Sequence, residues 1–260
     1  MQIKLVAMDM DGTLLDSNKR LPADFMDWVR AHPDIKTVIA SGRQYYTLVN
    51  DFLPIRDQLV YVAENGGLVF ENEEILYSNE MQMEDVRNCL ERIDAVKGLT
   101  PIVCGAGSAY MRPVQEHIRR EAKMYYARLQ QTENLCEAAS RDTIVKIAIF
   151  VDEKMAEAAM KHFKDIPEHL AAVLSGDSWI DIANRSVNKG VAVAAIQKKY
   201  GIAREASMAF GDYLNDTELL KSCEESYCME NGHPDLKTLA KHVTDSNDNN
   251  GVMKVLYEVG

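Results

Sequence analysis

The 260-residue sequence predicts an α/β protein, a mainly parallel sheet with helices between its strands, into which an α+β segment is inserted. Three observations predict it. Apolar runs of strand length alternate with helix-period stretches, the pattern of βαβ units. In the middle of the chain this rhythm gives way to close strand pairs with Gly and Ser at their turns, the pattern of hairpins and antiparallel sheet. The chain is also longer than one compact core needs and comfortable for two.

In chain order, residues 3–8 (IKLVAM), 35–40 (IKTVIA), 59–63 (LVYVA) and 206–210 (ASMAF) are apolar nearly throughout. Strands covered on both faces have that composition, as in a parallel sheet. Helices are expected at Pro22–Ala31, with Pro near its start where a missing N–H costs least, and at Gln44–Phe52. The insert spans 83–185, with strands at Thr100–Cys104, Ala109–Arg112, Ile144–Val151, Ala172–Leu174 and Trp179–Ile182. Helices at Met83–Val96, Glu116–Gln131 and Lys154–Phe163 lie among them. The turns Gly105-Ala106-Gly107-Ser108 and Ser175-Gly176-Asp177-Ser178 mark the hairpins. The core is then discontinuous, 1–82 and 186–260, and a polar stretch from Asp245 to Asn250 reads as a loop before a last helix.

Composition excludes several classes. The formal net charge is −11, and an acidic surface repels the phosphates of nucleic acid. A protein of this charge that handles phosphate must supply positive charge locally, through a metal, a lysine or helix N-termini. No segment approaches the roughly twenty apolar residues that span a bilayer, and Met1–Asp9 lacks the features of a cleavable signal. Cys89, Cys104, Cys136, Cys223 and Cys228 form no CxxC pair and read as reduced thiols. A cytoplasmic protein is expected, with neither nucleic acid nor membrane as partner.

The first strand runs straight into Asp9-Met10-Asp11-Gly12-Thr13. Ligands of open α/β sheets bind beyond the carboxyl ends of the strands, which is where Asp9 falls. Two carboxylates this close repel, and holding both ionised calls for a cation; oxygen ligands suit Mg²⁺. An Asp-Gly turn that merely closes a strand uses the same residues, so the pair alone decides nothing. Three further strand ends or helix starts add what the pair lacks. Ser41-Gly42-Arg43 offers a hydroxyl and backbone N–H groups, though Ser is also a common helix cap. Lys189, in Asn188-Lys189-Gly190, could neutralise a phosphate and Asp9, although a solvated lysine at a helix start reads the same way. Gly211-Asp212-Tyr213-Leu214-Asn215-Asp216 is a second acidic loop, able to complete an oxygen cage or simply to cap the following helix.

Taken together and in this order, these segments resemble the four motifs of the haloacid dehalogenase superfamily, with the Rossmann-like core of that family. The insert between the second and third motifs resembles the Cof-type branch (subfamily IIB), with its C2B α/β cap. Glu64-Asn65-Gly66-Gly67 and Val243 to Asp248 with Gly251-Val252 also look like stretches of that branch. The resemblance implies a phosphatase of small phosphorylated metabolites, sugar phosphates first, in which Asp9 is the nucleophile and Asp11 the general acid/base. It implies Mg²⁺ held by the Asp9 carboxylate, the Asp11 main-chain carbonyl and Asp212, with Asp216 nearby. Phosphate oxygens would meet Ser41, Lys189, Asn215 and backbone N–H groups around Met10 and Gly42. The insert would act as a lid. Arg43, Asn184 and Arg185 are candidate substrate contacts because they flank core motifs or lie near a crossing. A sugar phosphomutase with the same cap is the enzymatic alternative. A receiver-type regulatory module, which also carries an aspartate at a strand end, is the alternative from another class.

Overall fold

The computed structural model describes residues 2–152 and 155–259. By contact the chain divides into two units, Met1–Tyr77 with Asn188–Gly260, and Ser78–Val187. The second begins at Ser78 rather than 83 and ends at Val187 rather than 185. Met81 explains the shift: it is buried in the core of the second unit and its N–H donates to Ile144 O. Asn79 extends the join, accepting from Asn184 Nδ2 (2.8 Å) and donating to Ser186 Oγ (3.0 Å).

The first unit is built on β1 (Leu5–Asp9), β2 (Lys36–Ala40), β3 (Leu59–Ala63), β4 (Leu68–Glu71) and β5 (Glu74–Ser78), then β12 (Ser207–Gly211), β13 (Glu225–Met229) and β14 (His242–Thr244). They form one eight-stranded sheet in the order β14-β13-β12-β1-β2-β3-β4-β5. Pairing is parallel from β14 to β3, and β4 returns antiparallel on β3. All five residues of β1 are buried, as are those of β3 and β12, which accounts for their unbroken apolar composition. The helices of this unit are α1 (Phe25–Ala31), α2 (Tyr45–Asp51), α7 (Lys189–Tyr200), α8 (Thr217–Lys221), α9 (Pro234–Leu239) and α10 (Gly251–Leu256). Beyond β1 the chain turns to β2 on one side, and much later reaches β12 on the other. The strand order therefore reverses at β1, and the crevice at its carboxyl end is a topological switch point.

The second unit carries β6 (Leu99–Gly105), β7 (Ala109–Met111), β8 (Leu129–Gln131), β9 (Ile144–Val151), β10 (Leu170–Gly176) and β11 (Trp179–Asn184), ordered β10-β11-β9-β6-β7-β8. Its pairs are antiparallel except β7 with β8. Its helices are α3 (Met83–Asp94), α4 (Glu116–Tyr125), α5 (Leu135–Ala139) and α6 (Ala156–Ala159). Two apolar clusters, one around Val103, Ile147 and Ile182 and one around Ile102, Ala148 and Trp179, follow the alternation of β6, β9 and β11.

Several boundaries differ from those expected. The helix expected over 116–131 ends at Tyr125, because Tyr126 turns to extended backbone, and residues 129–131 become β8 against β7. The helix expected to start at Pro22 starts at Phe25, with Asp24 at its N-cap. The helix expected from Lys154, which lies outside the described residues, is α6 followed by a 3-10 turn at Met160–Phe163.

Candidate active site

Asp9 is the last residue of β1 and only 6 % exposed, so its carboxylate enters the crevice from a fixed, buried backbone. Lys189 opens α7 and is fully buried. The Asn188 side chain caps that helix by accepting from Val191 N–H (2.8 Å). Lys189 Nζ donates to Asp9 Oδ1 and to Asp216 Oδ1, the latter at 2.6 Å. Asp216 in turn accepts from the N–H groups of Asp212 (3.0 Å) and Tyr213 (3.3 Å) through Oδ2, which folds the loop after β12 back on itself. Thr13 Oγ1 donates to Asp212 Oδ1 (3.3 Å), joining that loop to the one after β1. Gly12 is needed where the two loops meet. Its φ is +84°, and a Cβ there would collide with the Asp212 carboxylate.

Asp9, Asp212 and Asp216 each bring a carboxylate oxygen within 4.8 Å of the others. Lys189, bonded to Asp9 and Asp216, brings one positive charge to these three carboxylates, so negative charge is in excess. Burial, helped by the charges of Asp216 and Asp212, overcomes the attraction of Lys189 and pushes Asp9 up to about 7. Burial and Asp216 push Asp212 up to about 6. Burial would lower Lys189, but Asp9 and Asp216 more than offset it and hold the ammonium charged. An all-carboxylate donor set with uncompensated charge fits a hard divalent cation.

Asp11 points elsewhere. Arg43 grips its carboxylate with Nε (3.0 Å) and Nη2 (2.7 Å), and Lys19 Nζ adds a third contact at 2.6 Å. Partial burial would raise Asp11, but Arg43 and Lys19 hold it below the usual carboxylate range. Arg43 also reaches Asp51 (3.1 Å). Ser41 follows β2, is buried, and its Oγ accepts from Arg43 N–H (3.2 Å). Met10 is buried, its carbonyl accepting from Thr13 and Leu15 N–H. Asn215 Nδ2 donates to Asn65 Oδ1 (3.3 Å), and the Asn65 amide lies against Gly42. The first unit thus brings together Asp9, Lys189, Asp212 and Asp216, and sets Asp11 on Arg43. Asn184 and Arg185 lie in the second unit with their donors engaged there. Asn184 bonds Asn79 and Glu80 O; Arg185 bonds the carbonyls of Glu168 and Leu170.

Sequence reasoning assigned no chemistry to Lys19, Asn65, Asn231 or Asn247. Asn231 Nδ2 donates to Gly12 O (2.8 Å), and Asn247 Nδ2 to Leu15 O (2.9 Å), while Asp248 accepts from Ser17 N–H and Oγ. The loop after β1 is therefore held from the far end of the chain. Asn247 and Asp248, which give that support, lie in the stretch from Val243 to Asp248 that resembles the family branch.

A family profile described as haloacid dehalogenase-like hydrolase matches residues 6–256. The Escherichia coli 5-amino-6-(5-phospho-D-ribitylamino)uracil phosphatase YbjI is 30% identical over 266 residues, with 100% of this chain and 97% of the relative covered. SMU.1108c of Streptococcus mutans superposes with a TM-score of 0.83 at 28% identity, covering 99% of this chain and 98% of that one. The subclass IIB sugar phosphatase BT4131 shares the fold, with a TM-score of 0.77 at 22% identity and 98% of both chains covered. A match through both units leaves no room for a receiver-type module. With the family profile matching through both units and a phosphatase 30% identical over its whole length, the chain belongs to the haloacid dehalogenase-like hydrolases, as a phosphomonoesterase.

Proposed function

We propose that this enzyme is a Mg²⁺-dependent phosphatase of small phosphate monoesters, sugar or sugar-alcohol phosphates foremost, that works through an aspartyl phosphate on Asp9. The observation that carries the reading is the Asp9 carboxylate, buried at a strand end, shared between Lys189 and an acidic cluster. Asp9, Asp212 and the Asp11 main-chain carbonyl would hold the cation, with Asp216 beside them. When bound, Mg²⁺ supplies the positive charge that keeps Asp9 ionised and neutralises phosphate oxygens.

A free carboxylate oxygen of Asp9 attacks phosphorus, and the bond to the leaving oxygen breaks as the new O–P bond forms. Asp11, protonated for this step, gives its proton to the leaving oxygen. In the second half, ionised Asp11 takes a proton from water, whose oxygen attacks phosphorus and releases Asp9 and inorganic phosphate. The grip of Arg43 and Lys19 favours the ionised form, the one this second half uses. Lys189, Ser41, Asn215 and the N–H groups near Met10 and Gly42 hold the phosphate oxygens, since phosphoryl transfer demands positioning and charge more than covalent machinery. The preference for a polyhydroxylated chain ending in phosphate is supported by the substrate named for the YbjI relative, a phosphoribityl compound.

Asp9→Asn tests the mechanism. It keeps the side-chain shape and removes the nucleophile, so Mg²⁺-dependent hydrolysis of an aryl phosphate should disappear. Full activity in that variant would sink the proposal. Phosphate release from a panel of hexose and pentitol phosphates ranks the substrates, and steady release without isomer interconversion separates hydrolysis from mutase action.

A further inference from the structure

The turn that ends β3 is strained in a way that a simple turn would not require. Glu64 and Asn65 follow one another with φ of +51° and +55°, and neither is glycine. Left-handed backbone costs a non-glycine residue about 1 kcal/mol, and Asn tolerates it better than most. Two such residues in succession persist where their surroundings hold them. Here Glu64 N–H donates to Arg43 O (3.1 Å) and Asn65 N–H to Ser41 O (2.9 Å), so the turn is fastened to the segment after β2.

The Asn65 side chain continues the connection. A Cβ built on Gly42 would lie 2.9 Å from Asn65 Nδ2 and 3.2 Å from its Oδ1, so the carboxamide rests directly on the Gly42 backbone. Its Oδ1 accepts from Asn215 Nδ2 (3.3 Å), on the loop after β12. One amide therefore touches both segments assigned to phosphate oxygens. Building on the function proposed above, we infer that Asn65 is a positioning residue of the phosphate site, aligning the Asn215 carboxamide with the Ser41–Gly42 backbone. Phosphoryl transfer is sensitive to such alignment, since misplacing a group by about 1 Å can cost on the order of 100-fold in rate.

Asn65→Gly is the informative variant, because glycine takes the positive φ without strain while losing the amide. The full-length enzyme with Mg²⁺ is compared with the wild type in melting temperature, in inhibition by inorganic phosphate, and in kcat and KM on a phosphate monoester. Expected are an unchanged or higher melting temperature, an inorganic-phosphate Ki weaker by about 10-fold, and kcat/KM lower by about 10- to 100-fold. Added to Asn215→Ala, the same change should cost less than it does alone, because Asn65 acts partly through Asn215. A phosphate Ki and kcat/KM both within about twofold of wild type, or strictly additive losses, would mark a turn residue and overturn the inference. If instead the wild type releases no phosphate from any monoester, the reading of the site itself fails, and this inference with it.

Discussion

With the metal site proposed above, acidification should lower the affinity for Mg²⁺ along a defined curve. In the metal-free protein Asp9 is pushed up to about 7 and Asp212 up to about 6. A cation must displace whatever protons those carboxylates carry. Below pH 6 both hold one, so the logarithm of the apparent Mg²⁺ affinity should rise by about two per pH unit. Between 6 and 7 Asp9 alone contributes, and the slope falls to about one; above 7 the affinity levels off. From pH 5 to 8, two units from Asp9 and one from Asp212 give about 1,000-fold, or about 4 kcal/mol. Asp11, held below the usual carboxylate range, contributes no proton over this interval. Titration calorimetry in buffers of different ionisation enthalpy measures both the affinity and the protons released, with circular dichroism to confirm folding at pH 5. Stability moves in the opposite sense. Because both folded values lie above those of the unfolded chain, the native state retains protons that the unfolded state has lost, and metal-free stability falls as pH climbs from about 4 to 7. Mg²⁺ should reverse that fall. Asp212→Asn should reduce the slope below pH 6 to about one. Equal affinity at pH 5 and 8, with no proton release, would refute this account of the acidic cluster.

Lys189→Met should destabilise the fold by about 3–5 kcal/mol, because it leaves Asp9 and Asp216 buried without their cation. The deficit should be smaller at pH 5 than at pH 7.5, since acid protonates Asp9, already pushed up to about 7 with Lys189 in place; denaturant unfolding at the two values checks both points, and equal deficits would contradict it. Arg43→Ala leaves Asp11 with the exposed Lys19 alone. Hydrolysis of the aspartyl phosphate, the half that uses ionised Asp11 and that every monoester shares, should slow, so turnover of an alkyl and of an aryl phosphate should drop together, by about 10- to 100-fold. A loss confined to the alkyl phosphate would mean that Arg43 does not act by keeping Asp11 ionised.

How far the sequence revealed this fold follows from where its information sits. β1, β3 and β12 are legible because burial on both faces leaves them no freedom to be polar. β5 and β14 lie at sheet edges, partly exposed and with mixed composition, so nothing local marks them as strands. The stretch 116–131 keeps a helical pattern past Tyr125, and β7, beside which residues 129–131 lie, overrides it. The site divides the same way. Asp9, Ser41, Lys189 and Asp212 announce themselves by standing at the ends of apolar strands or the start of a helix. Arg43 was singled out for its place beside Ser41, but its attachment to Asp11 depends on how two loops approach each other. Asn65 is the sharpest case. In the sequence, Asn followed by Gly after an apolar run is an ordinary turn. Its significance comes from Asn215, 150 residues away, and from the bare backbone of Gly42, which leaves room for an amide between them. The sequence marks Glu64 to Gly67 as a stretch resembling the family branch, but the joining of the two loops by Asn65 follows from the convergence of the strands at the switch point.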